Sequence, residues 1–91
     1  MGLNAVQVVF ARLKGPRPGS AVVSLIEDLI WAHAMPRDGL EHLTGRPVAE
    51  GLELYLFVLA DSESDAFNQV RALLERVHPR LARHGFVLGR R

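Results

Sequence analysis

The chain has 91 residues, of which 48% are hydrophobic and 23% charged, with a formal net charge of +1. That is the size and composition of one small globular domain, spanning residues 1–91, and not of a disordered chain. There is no cysteine, so disulfide frameworks and thiolate metal sites are excluded. No apolar run approaches the roughly 18 residues of a membrane span. The opening Met1-Gly2-Leu3-Asn4 lacks a basic and apolar leader, so a cytoplasmic protein is expected. Ten arginines, ten alanines and only two isoleucines suggest a GC-rich bacterial genome.

The elements follow in chain order. Residues 5–13 are β-branched, aromatic and almost continuously apolar, which predicts a central strand. Lys14-Gly15-Pro16-Arg17-Pro18-Gly19 ends it, because two prolines remove ladder donors. A helix over 20–34 is predicted from Val22, Leu25, Ile26, Leu29 and His33 on one face, with Ser20 as its cap and Pro36 and Gly39 beyond its end. Residues 40–44 predict a short edge strand, weakened by Gly45-Arg46-Pro47; a helical turn at 38–43 is the competing reading. Residues 52–60 are the clearest strand. Ser62 and Asp65 then form a capping-box-like start to a helix with Phe67, Val70, Leu73, Leu74, Val77 and Leu81 on one face. Pro79 predicts a break or kink near residues 75–78, Gly85 a left-handed end, and 86–88 a last short strand followed by a tail.

The order β-α-β-β-α-β, with right-handed crossovers, places both helices on one face of a four-stranded antiparallel sheet. The pattern resembles the ferredoxin-like fold, an α+β two-layer sandwich, and that resemblance implies the spatial strand order 4-1-3-2. The two most apolar strands would then be central and the proline-containing one an edge.

Strand parity separates the sheet's two faces. The aliphatic set Leu54, Leu56 and Val58 is expected beneath the helices, with Val6, Val8 and Phe10. That leaves Val9, Ala11, Leu13, Tyr55, Phe57 and Leu59 on the uncovered face. A contiguous apolar patch of this kind marks an interaction site, so a homodimer or another protein partner is expected through it.

Other chemistry is thinly supported. Lys14, Arg17 and Ser20 surround a helix start and form a possible anion site, without the spacing of a phosphate loop. His33, His42, Asp38 and Glu41 lie close in sequence but match no zinc spacing, and no nucleophile pairs with either histidine, so no metal, cofactor or catalytic residue is assigned. His78 and His84 lie among arginines and are expected at the surface. A competing reading is a small enzyme or ligand-binding protein of the dimeric α/β-barrel kind, with a pocket near Trp31, His33 and His42. The segment Val6-Gln7-Val8-Val9-Phe10-Ala11-Arg12 is similar to the Val-Gln-Gly-Val-x-Phe-Arg signature of acylphosphatases. Val8 stands where that family has glycine, an extra residue precedes Arg12, and the family's asparagine is missing, so the activity is not carried over. Nucleic acid is disfavoured, because the RNA-binding aromatic signature is absent and Glu53 repels phosphate.

The charge is unevenly distributed. Residues 1–20 carry +3, residues 21–70 carry −7 and residues 71–91 carry +5. The basic ends can act together only if the fold sets them side by side.

Overall fold

The computed structural model describes residues 5–89, so Met1–Asn4 and the Arg90-Arg91 end of the expected tail lie outside it. The elements are β1 (Ala5–Lys14), α1 (Ser20–His33), a 3-10 turn (Pro36–Asp38), β2 (Leu40–Val48), β3 (Gly51–Ala60), α2 (Glu63–Arg83) and β4 (Val87–Leu88). The strands form one sheet in the order β2-β3-β1-β4, with every neighbouring pair antiparallel. The fold is α+β, consistent with a two-layer sandwich in which α1 and α2 pack on each other and on one side of the sheet.

β3 follows its hydrophobic pattern. Leu52, Leu54, Leu56 and Val58 have no exposed surface and form the floor of the core. Val23, Ile26 and Ile30 of α1 and Val70, Leu73, Val77 and Leu81 of α2 close over them. Burying such side chains contributes roughly 1.5–3 kcal/mol each.

β1 departs from expectation. Its register with β3 sets Val9 opposite Leu56, Ala11 opposite Leu54 and Leu13 opposite Leu52. Directly opposed residues share a face. Val9, Ala11 and Leu13 therefore lie on the helix side, with Leu13 fully buried, and not on the uncovered face. Val6, Val8 and Phe10 take the uncovered face and are 55%, 57% and 47% exposed. Both parities of this strand are apolar, so its own pattern does not choose a side. Pairing with β3 does.

β2 runs on through Gly45, Arg46 and Pro47, beyond the expected end. As an edge strand it tolerates the proline, which needs a ladder partner on one side only. The helical turn before it lies at Pro36–Asp38 and not at 38–43. α2 continues unbroken past Pro79 to Arg83. Val77 and Leu81, on either side of the proline, are both fully buried, and this packing offsets the missing bond to the Glu75 carbonyl. After His84, Gly85 adopts φ 88° and the Phe86 N–H donates to the Leu81 carbonyl at 3.0 Å, which closes the helix in the left-handed turn expected.

The connection between α1 and β2 is held by one buried carboxylate. Asp38 is 2% exposed and accepts from the Met35 N–H at 2.7 Å and from the Arg76 guanidinium on α2. Arg76 also donates to the His33 carbonyl at 3.1 Å, and the Gln69 side chain donates to the carbonyls of Asp38 and Leu59. Asp38→Ala removes the acceptor common to the first two bonds and leaves the half-buried Arg76 guanidinium without its carboxylate. The expected loss is about 2–3 kcal/mol of folding stability, read by urea unfolding at fixed protein concentration.

Candidate functional site: the open face of the sheet

The two helices cover one side of the sheet and leave the other open. From β1 this open face takes Val6, Val8, Phe10 and Arg12; from β3 it takes Leu59, Phe57, Tyr55 and Glu53, in register. From β2 it takes His42, Thr44 and Arg46, opposite Phe57, Tyr55 and Glu53. Of the expected surface residues, Tyr55, Phe57 and Leu59 are therefore on the open face, while Val9, Ala11 and Leu13 are on the other. Val6, Val8 and Phe10 replace them, so the apolar stripe is still two strands wide.

Ring contacts organise its centre. Phe10 and Tyr55 lie 5.3 Å apart across the β1–β3 pair, and His42 and Phe57 lie 5.4 Å apart across β2–β3, both tilted. The Arg12 guanidinium sits over the Phe10 ring at 5.6 Å. The side chains thus hold one another in defined positions.

One end of the stripe is charged. Glu53 accepts from Arg12 at 2.9 Å and from Arg46 at 2.5 Å, forming a ladder across three strands. The Arg46 bond, assisted by Arg12, holds the Glu53 carboxyl below its ordinary range against the opposing effect of burial, and Glu53 in turn raises Arg46. Glu53 is therefore neutralised within the sheet and does not act as a free repulsive charge. A carboxyl whose folded pKa is depressed stabilises the fold above its unfolded pKa, and that contribution disappears as pH falls through the folded value. Glu53→Gln should accordingly lower the melting temperature at pH 7, with a difference from the native protein that closes as pH drops below about 4. A calorimetric pH series checks this.

The remaining candidates are dispersed. Lys14 ends β1, Arg17 lies in the exposed connection and Ser20 is the first residue of α1; Gly19, not Ser20, is the helix cap, without a side-chain hydrogen bond. Ser62, by contrast, caps α2 as expected, its Oγ accepting from the Asp65 N–H at 3.0 Å. His33 sits at the end of α1 with Nδ1 2.8 Å from the Leu29 carbonyl, and Trp31 is exposed on the same helix. His42 lies on the opposite side of the sheet, against Phe57. The expected pocket around Trp31, His33 and His42 is therefore not assembled. Asp38, one of four possible metal ligands close in sequence, is committed to Arg76 and the Met35 N–H. Among the described residues no group of three His, Asp or Glu side chains is placed to hold a metal. His84 is exposed as expected, whereas His78 is half-buried with its Nε2 unpartnered among the described residues.

The pairing of β1 with β4 does bring the basic first segment beside the basic last one, although Arg12 is engaged by Glu53. A second feature is absent from the expectations. β4 spans two residues, and beyond it a groove of about 1360 Å3 opens between β1 and α2, lined by Gln7–Arg12, Phe67, Val70 and Leu74 among others. Its only trace in the sequence is the brevity of the apolar run after Gly85. Among the described residues, no helix is long and apolar enough to cross a membrane. No family model, curated protein or solved structure compared with this chain matches it.

Proposed function

We propose that this chain is a non-enzymatic interaction or regulatory module that self-associates through the open face of its sheet. We also read its sandwich as ferredoxin-like: the order β2-β3-β1-β4, taken from the β4 edge, is the order 4-1-3-2 that the resemblance implies.

The observation that carries the functional reading is the exposed stripe of Val6, Val8, Phe10 and Leu59 beside the half-buried rings of Tyr55 and Phe57. An isolated two-layer domain gains by placing polar side chains there. Here the central two strands place aliphatic and aromatic ones, and the polar groups are confined to the Arg12–Glu53–Arg46 end and to β2. A second copy offers the same apolar stripe and the same rim, which suits a self-complementary contact. The aliphatic side chains separating the rings favour packing over base stacking.

Sedimentation equilibrium across the micromolar range tests the reading. Reversible association that strengthens with salt or is insensitive to it is expected of an apolar contact. A strictly monomeric protein, or tight salt-sensitive binding of a single-stranded oligonucleotide to the same face, would overturn it.

A further inference from the structure

β1 has the sequence of a strand paired on both sides, yet one of its edges is paired along only a short stretch. β4 meets it at Lys14 and Leu13, and the Gly89 N–H donates to the Arg12 carbonyl at 2.8 Å. That bond turns the backbone groups of Arg12 toward β4. Alternation along an antiparallel strand turns those of Phe10, Val8 and Val6 the same way. Among the described residues no strand lies beside them. Lysine, arginine and proline, the residues that guard exposed edges, are missing from Ala5 to Ala11. α2 overhangs the gap, so the groove has one wall of unpaired backbone and another formed by Phe67, Val70 and Leu74.

We propose that β1 of a second copy occupies this groove, antiparallel and related by a two-fold axis at Val8, so that two sheets join into one. The choice of occupant rests on self-complementarity. Centred on Val8, the free stretch pairs with itself: Val8 faces the partner's Val8, Val6 faces the partner's Phe10 and Ala5 faces the partner's Ala11. All outward backbone groups are used, and pairing stops where β4 begins. The Val–Phe pairs join a β-branched to an aromatic side chain, a favourable cross-strand combination.

Charge agrees with this register. α2 returns from β3, which is antiparallel to β1, so it runs in the same sense as β1. Glu63, Phe67 and Arg71 line the groove one helical turn apart, with Glu75 a turn further on; Arg71 pairs with Glu75 at 3.4 Å, an exposed contact that leaves its guanidinium accessible to a second carboxylate. The two-fold axis sets the two copies of α2 antiparallel, bringing Glu63 alongside the partner's Arg71 and Arg71 alongside the partner's Glu63. An unrelated peptide would have to supply this match by chance; a second copy supplies it by symmetry. The edge contact rests on backbone and groove; its Val–Phe pairs lie along the β1 margin of the open face but leave that face uncovered, so it does not depend on the preceding proposal. Combined, the two contacts give a closed tetramer of two joined sheets packed face to face.

Amide hydrogen exchange in the Phe57→Asp variant, which removes the face contact, provides the test. Val6, Val8 and Phe10 amides should exchange freely at about 5 µM and slow more than about tenfold near 500 µM, while Val9 and Ala11, bonded toward β3, stay protected throughout. The same pattern in the unaltered protein keeps the test independent of that variant's folding. Val8→Pro removes the central outward N–H without costing a bond to β3, and should abolish the concentration dependence. Outward amides that exchange freely at every concentration overturn the edge proposal, as does protection in a monomer, where the chain itself covers the edge. If Phe57→Asp yields monomers from a native dimer and stays monomeric near 500 µM, the face contact stands and the edge contact fails. If dimers persist unchanged in Phe57→Asp and vanish in Val8→Pro, the edge contact stands and the face contact fails.

Discussion

Replacing Phe57 by aspartate should halve the mass of the associated particle and leave each subunit folded. Phe57 lies at the middle of the open stripe, between Val8 on β1 and His42 on β2, and is only half-buried within the subunit. Its ring contributes little to the helix-side core, which lies on the other face of the sheet. The cost to the isolated subunit is therefore small, about 1 kcal/mol. In a face-to-face contact the same substitution acts twice, once per copy. Each copy loses apolar burial worth roughly 1.5–3 kcal/mol and gains a carboxylate that must be desolvated. A weakening of at least about a hundredfold follows, well within reach of sedimentation velocity. Far-UV circular dichroism distinguishes dissociation from unfolding. Unchanged mass with an intact spectrum would remove Phe57 from any interface.

The largest stability effect is expected at Gly51. This residue opens β3 with φ 147°, a conformation that L side chains rarely adopt, and pairs with Lys14 and Val48. A Cβ there would lie 1.9 Å from the Leu13 carbonyl oxygen, on backbone and not on a side chain that can swing away. The neighbouring chain is tied down as well, since the Gly15 N–H donates to the Glu50 carbonyl at 3.0 Å. Relief requires β1 and β3 to separate at this end or the backbone to rotate into an allowed region, and either distorts the central pair of the sheet. Gly51→Ala should cost about 3–5 kcal/mol, close to the whole stability of a small domain, and should greatly lower the yield of folded protein. Gly19→Ala is the matched control: nothing lies within 4 Å of the added methyl and φ is −80°, so the change should cost only what alanine costs at a helix cap, about 0.5–1 kcal/mol. A Gly51→Ala protein with a native melting temperature would show that the strand ends adjust more freely than this packing allows.

The difference between β1 and β3 shows how far the open face was legible. In β3, one parity is wholly aliphatic and the other carries Glu53 and Tyr55, so alternation alone assigns Leu54, Leu56 and Val58 to the core. In β1, Val6, Val8 and Phe10 compete with Val9, Ala11 and Leu13, and bulk suggests the wrong set for the interior. The helix layer accepts the smaller residues at positions 9 and 11, and the larger ones turn outward. The error concerned one strand's parity, and it decided half of the candidate surface. Pro79 shows a similar limit. Its missing N–H is a local cost, readable from sequence, whereas the burial of Val77 and Leu81 that overrides it belongs to the packed core.

Sequence alone determined the kind and order of the elements, the edge position of the proline-bearing strand, the Ser62 cap, the turn at Gly85 and the apolar excess on β3. These depend on neighbouring residues, on hydrogen-bond donors present or missing and on periodicities of two or 3.6, all of which are local. Tertiary structure alone decided which side of β1 faces the helices, that Arg12 and Arg46 converge on Glu53, that Asp38 is spent on Arg76, and that β4 is too short to cover β1. Each of these depends on register and on contacts between residues far apart in the chain. Such contacts are set when the layers close, and no local pattern encodes them.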